Sequence, residues 1–130
     1  MQIKRKKHRT LRVRDRNGAV SLLEPDEREE IEYIYNLIPE QDRRSLTQDD
    51  ILFVLDEIDN FLEDKGLLVA DEQSGEVTYL DGDIDETEQL EYILAAAKRD
   101  CRSLTSAQVQ LILDGEEQYG IEQGWYEEED

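Results

Sequence analysis

The side chains able to do chemistry are abundant in one class and nearly absent from the rest. Among 130 residues stand 34 Asp/Glu, 15 Lys/Arg, one His and one Cys, for a net charge of −19. A lone histidine, His8, removes nearly all zinc and acid–base arrangements, which need two. A lone cysteine, Cys101, excludes an intramolecular disulfide and any Cys-built metal cluster. Arg99 and Arg102 flank Cys101 and would lower its pKa, yet the body of the chain holds no histidine to serve as its base. Asp81, Asp83 and Asp85 imitate the first three ligand positions of a calcium-binding loop. The sixth position of such a loop needs Gly and holds Glu86; the twelfth needs a bidentate Glu and holds Tyr92. Phosphate-cradling glycine loops, a nucleophile elbow and a dinucleotide fingerprint are all missing. The reading is therefore a chain without catalysis, cofactor or metal.

The cations that remain are concentrated at the start. Residues 1–16 hold eight Lys/Arg and one Asp, or +7, whereas residues 17–130 hold seven Lys/Arg and 33 Asp/Glu, or −26. Lys4, Arg5, Lys6, Lys7 and Arg9 form the candidate binding residues, a basic arm over 1–9 that could touch nucleic acid or an acidic partner. The plainer alternative is a tail folded against its own acidic body. A helix followed by a hairpin over 49–80 superficially resembles the end of a winged-helix DNA reader. Asp49, Asp50, Asp56, Glu57, Asp59, Glu63 and Asp64 against a single Lys65 give that helix the wrong sign for phosphate. No apolar run approaches the roughly 18 to 20 residues that span a bilayer, and no apolar stretch of signal-peptide type follows the basic start. The expectation is a cytoplasmic chain with no membrane contact.

Behind these side chains lies a repeat. Glu32-Tyr33-Ile34 returns as Glu91-Tyr92-Ile93, and Arg44-Ser45-Leu46-Thr47 returns as Arg102-Ser103-Leu104-Thr105, with offsets of 59 and 58. Leu11, Val13 and Asp15 align with Leu67, Val69 and Asp71, Leu55-Asp56 with Leu113-Asp114, and Gly66 with Gly124. Self-similarity at such a period predicts a duplicated supersecondary unit.

Each copy carries the same order of local signals. Leu11–Arg14 and Ala19–Leu23 flank Asn17-Gly18, a pair that accepts positive φ and marks a hairpin; segments 67–70 and 77–80 predict its counterpart. Ile31, Ile34, Tyr35 and Ile38 fall at helical spacing before Pro39, as do Leu90, Ile93, Leu94 and Ala97 in the second copy. Acidic residues crowd both helix starts, where the macrodipole favours them.

The repeated Arg-Ser-Leu-Thr reads as structural capping. Thr47 with Asp50 and Thr105 with Gln108 make capping boxes, while Leu46 with Ile51 and Leu104 with Val109 make hydrophobic staples. The first capped helix then buries Ile51, Val54, Leu55, Ile58 and Leu62, flanked by Phe61, and stops at Gly66. Phe53 and its counterpart Leu111 point away from that stripe, so these two helices should meet each other or be covered on two sides. Tyr33 and Tyr92, being equivalent, predict a shared packing role, and Trp125 could cover the edge of the core.

The expected fold is α+β, with an internal duplication of a β-hairpin plus two-helix unit (ββαα-ββαα). Four helices pack on short antiparallel strands about a pseudo-twofold. The organisation is one domain over 1–130, with repeat one at 10–66, repeat two at 67–125 and an acidic tail at 126–130. The expected function is a non-catalytic protein-binding or adaptor module, whose acidic surface meets a basic partner protein. The alternatives are a nucleic-acid mimic that inhibits a DNA-binding protein or enzyme, and nucleic-acid contact through the basic arm.

Overall fold

The computed structural model describes residues 3–6, 9–13, 25–70, 73, 76–80, 82–124 and 126–127. They form a small, helix-dominated α+β fold with four helices: α1 (Pro25–Leu37), α2 (Gln48–Asp64), α3 (Glu86–Arg99) and α4 (Ser106–Glu122). The strands are β1 (Ile3–Lys6), β2 (Arg9–Val13), β3 (Leu68–Ala70), β4 (Glu76–Tyr79), β5 (Gly82–Asp85) and β6 (Tyr126–Glu127). Among the described residues, no helix is long and apolar enough to cross a membrane.

The helix limits follow from capping chemistry. Thr47 accepts from the Asp50 amide while Asp50 accepts from the Thr47 amide, and Thr105 with Gln108 repeats that reciprocal box. Asp85 caps α3 by accepting from the amides of Thr87 and Glu88 at 3.0 and 3.2 Å. At the far end of α2 the Gly66 amide donates to Glu63 O and the Leu67 amide to Leu62 O, with Gly66 at φ +74°. That is a Schellman closure. Cys101 occupies the same place after α3 at φ 57°, with its amide on Lys98 O and that of Arg102 on Ala97 O. A side chain there costs about 1 kcal/mol that glycine would not. α1 has no such closure, because Pro39 stops it early; Arg43 reaches back instead. Its Nε donates to the carbonyls of Ile38 and Tyr35 at 2.9 and 3.1 Å, and its Nη2 to that of Asn36 at 3.0 Å.

The core is the sum of the helical stripes. Ile31, Ile34 and Ile38 from α1, Ile51, Val54, Ile58, Phe61 and Leu62 from α2, Ile93 from α3, and Val109, Ile112 and Leu113 from α4 are all buried, with Leu68 and Ile84 from the strands. The packed helix pairs are α1 with α2, α3 with α4, α1 with α4, α2 with α3, and α2 with α4. Phe53 and Leu111 are half-buried against this core, so α2 and α4 are covered on more than one side, as their off-stripe positions required.

Antiparallel strands complete the molecule in two sheets of order β5-β1-β6 and β2-β4-β3. β3 and β4 pair as the hairpin read over 67–80, with Leu68 opposite Tyr79 and Ala70 opposite Val77. β2 was expected to pair with its own return strand at 19–23. That pairing is not tested, because the Asn17-Gly18 turn and residues 19–23 lie outside the described residues; among the described strands β2 pairs with β4. The basic arm and the acidic tail, both read as extensions, contribute β1 and β6. Backbone groups gain more from a ladder than from single-strand solvation once a neighbouring edge is close. Gly82 opens β5 beneath Leu67, whose side chain fills the space a Cβ would need.

Candidate functional site

The candidate binding residues fall on two strands. Lys4, Arg5 and Lys6 lie on β1, Arg9 opens β2, and Lys7 is outside the described residues. The register of β1 sets Lys4 across from Ile84, Lys6 across from Gly82 and Tyr126, and Arg5 across from both Asp83 and Glu127. Thus the basic segment is threaded between two strands that carry acidic positions, which is the tail-on-body alternative in backbone form.

Other candidates resolve into structure. Asp85 is occupied as the α3 cap and Asp81 is outside the described residues; among the described residues, no group of three or more His, Cys, Asp or Glu is gathered as a metal site. Cys101 is exposed at the end of α3. Trp125 lies outside the described residues.

Two constellations emerge that residue type alone did not announce. The first is aromatic and has two parts: in one, Tyr33 meets Tyr119 edge-on, with centroids 5.1 Å apart at 61°, beside the Glu122 carboxylate. In the other, Tyr92 meets Phe61 edge-on at 5.4 Å and 64°, and its hydroxyl donates to Asp64 Oδ2 at 3.0 Å. Corresponding members of the two clusters stand 58 or 59 residues apart in the sequence. The signal was present in the aligned pairs Phe61/Tyr119 and Asp64/Glu122, which preserve chemistry without identity.

Burial, reinforced by the adjacent carboxylate, raises both phenols above their ordinary value of 10.0. A raised folded-state pKa means that this stabilisation is complete below pH 10 and is lost as pH climbs through the folded-state value. Spectroscopic titration of the native chain should therefore show phenolate forming later than in the unfolded chain. Tyr33→Phe and Tyr92→Phe should each remove absorbance from the late part of the curve. Loss from the early part in both variants would contradict the two joints.

The second constellation surrounds Arg102. Its Nε donates to Asp100 Oδ2 at 2.8 Å, its Nη1 to Asp50 Oδ1 at 2.9 Å and its Nη2 to Asp49 Oδ2 at 3.1 Å, while the guanidinium lies 4.4 Å from the Phe53 ring centroid. Partial burial works against the charge, but the hydrogen bonds to Asp100 and Asp49 outweigh it and hold the group above its ordinary value. Nearby Gln108 Nε2 donates to Ser45 Oγ at 3.0 Å. Both contacts tie the capped start of one helix to the loop before the other, so they fasten α2 and α4 together. Chemically the cluster is a clamp, since every polar atom of the guanidinium is engaged.

One buried polar side chain is at odds with the core. Gln89 is 1% exposed, and neither of its amide atoms has a hydrogen-bond partner among the described residues. Leaving such a group unsatisfied costs about 1–3 kcal/mol. No protein-family model, curated protein or solved structure matches the chain.

Proposed function

We propose that the chain is a non-catalytic protein-binding module whose acidic outer surface holds a basic protein partner. The observation that carries this reading is where the carboxylates stand. Glu32 on α1, Glu63 on α2, Glu91 on α3 and Asp114 on α4 are all exposed, so every helix turns acidic groups outward while its apolar stripe is consumed by the core. Such a coat steers a cationic partner from a distance and repels phosphate backbones.

Mimicry of nucleic acid has less support. On α2 the exposed Asp49, Asp56 and Glu63 repeat every seven residues, or about 10 Å along the helix, and on α1 and α3 only the pairs Glu29/Glu32 and Glu88/Glu91 stand three residues apart. Duplex DNA carries a charge about every 1.7 Å of axis, and Asp49 is already paired with Arg102. Contact with nucleic acid through Lys4, Arg5, Lys6, Lys7 and Arg9 also has less support, because β1 is flanked on both sides by strands with acidic positions.

The body is, on this reading, two copies of one ββαα unit about a pseudo-twofold. Exchanging α1 with α3 and α2 with α4 returns the same set of packed helix pairs, and the capping boxes and aromatic joints exchange with them. A crystal structure in which residues 11–66 and 67–124 fail to superpose would overturn this part.

The functional part is tested by affinity capture with the full chain at low ionic strength. The expected result is a protein of high pI, released as salt shortens the screening length below about 8 Å. Joint replacement of Glu32, Glu63 and Glu91 by Gln and Asp114 by Asn should weaken its retention. Recovery of no protein, or of one whose retention ignores both salt and these replacements, would overturn the reading.

A further inference from the structure

We propose that the slot between β5 and β6, filled in this structure by β1, is where an extended Lys/Arg-rich segment of the partner docks, with β1 as its resident stand-in. The proposal rests on the acidic-surface reading above and gives it a location and a mode, strand addition. Its basis is the register. Of a chain whose body carries −26, the most basic stretch is the one seated in this slot, and Arg5 stands opposite acidic positions on both neighbours, Asp83 on β5 and Glu127 on β6.

Main-chain pairing in such a slot is indifferent to sequence, and selection comes from the charges that flank it. An incoming basic strand can therefore reproduce what β1 provides without leaving backbone groups unpaired. The strands are short: β1 and β5 have four residues each and β6 has two. Short strands pair weakly by themselves, so exchange is accessible while the helical core stays folded. The resident strand lowers the apparent affinity of a competitor by the fraction of time the slot is open. β1 is then an autoinhibitory element as well as a template for the partner.

The test uses the full chain and a labelled peptide with the sequence of residues 1–9. When the peptide saturates the native chain, amide hydrogens of residues 3–6 should exchange faster while those of Gly82–Asp85 stay protected, because one strand has replaced another. Arg5→Glu sets like charges across both ladders and should tighten peptide binding about tenfold by opening the slot. Asp83→Lys with Glu127→Lys should abolish binding, whereas Gln118→Lys, an exposed position on α4, should leave it intact. If the peptide binds without accelerating exchange at residues 3–6, or if joint replacement of Glu32, Glu63, Glu91 and Asp114 abolishes binding and the slot variant does not, the slot is wrong and the acidic-surface reading stands. If no Lys/Arg-rich peptide binds at low salt, that reading falls too. Concentration-dependent dimers with fast exchange at residues 3–6 and no peptide binding would give the slot to a second copy and overturn the assignment to a partner. The exchange measurement on the native chain decides the matter even where a charge-reversed variant does not fold.

Discussion

Gly115→Leu is expected to destabilise the protein by about 2–3 kcal/mol, a large fraction of the roughly 5–15 kcal/mol that holds a domain of this size together. Gly115 is buried in α4, and a Cβ built on it would lie 3.0 Å from Cγ2, 3.3 Å from Cγ1 and 3.4 Å from Cβ of Ile34 on α1. Ile34 is 0% exposed and β-branched, so neither rotation nor outward displacement is open to it. Any larger side chain must push α1 and α4 apart. Gly115→Ala separates the two effects: replacing a mid-helix glycine gains about 1 kcal/mol, and the tight contact consumes a similar amount, so a change within about 1 kcal/mol of zero is expected.

The cause is checked by pairing the change with Ile34→Ala. Alone, that truncation costs about 2–5 kcal/mol. In the Gly115→Leu background it should cost less by about 1 kcal/mol or more, because it supplies the room that leucine needs. Urea unfolding followed by circular dichroism measures all four proteins. Additive costs, or a Gly115→Leu midpoint equal to that of the native chain, would mean that the two helices do not approach at this point.

What could be read from the sequence was what local chemistry decides. The boxes at Thr47 and Thr105 and the stop at Gly66 are each specified within a turn or two and are found; of the stripe Ile51, Val54, Leu55, Ile58 and Leu62, Leu55 is only half-buried, and the flanking Phe61 is buried in its stead. Strand partners are decided by distant edges, which is why β2 joins β4 and why β1 and β6 were read as extensions. The fixed end of α1 shows the same division: Pro39 announces the stop, but the Arg43 side chain that satisfies its carbonyls carries no comparable signal. Arg102 stands out in the sequence as the first letter of a repeated tetrapeptide and as a basic neighbour of Cys101, and neither announces the clamp. Its role depends on Asp50, 52 residues away, and no periodicity reports a contact at that separation.

That separation makes Arg102→Ala the sharper test of how the two halves are held. The guanidinium is half-buried, at 26% exposure, and its three carboxylate partners range from 18% to 63%, so solvent screens part of each bond. The aromatic face adds about 0.5–1 kcal/mol. Against that, removing the cation leaves Asp49, Asp50 and Asp100 facing one another without a counter-charge. A net loss of about 2 kcal/mol is expected, and added salt should recover part of it by damping the carboxylate repulsion. Its repeat counterpart, Arg44, is exposed, and the helix start corresponding to Asp49-Asp50 is Ala107-Gln108, which offers no carboxylate. Arg44→Ala should therefore change stability by no more than about 0.5 kcal/mol. Equal losses at the two positions would show that the arginines serve their own loops, whereas a loss confined to Arg102 places the fastening between α2 and α4 at that one side chain.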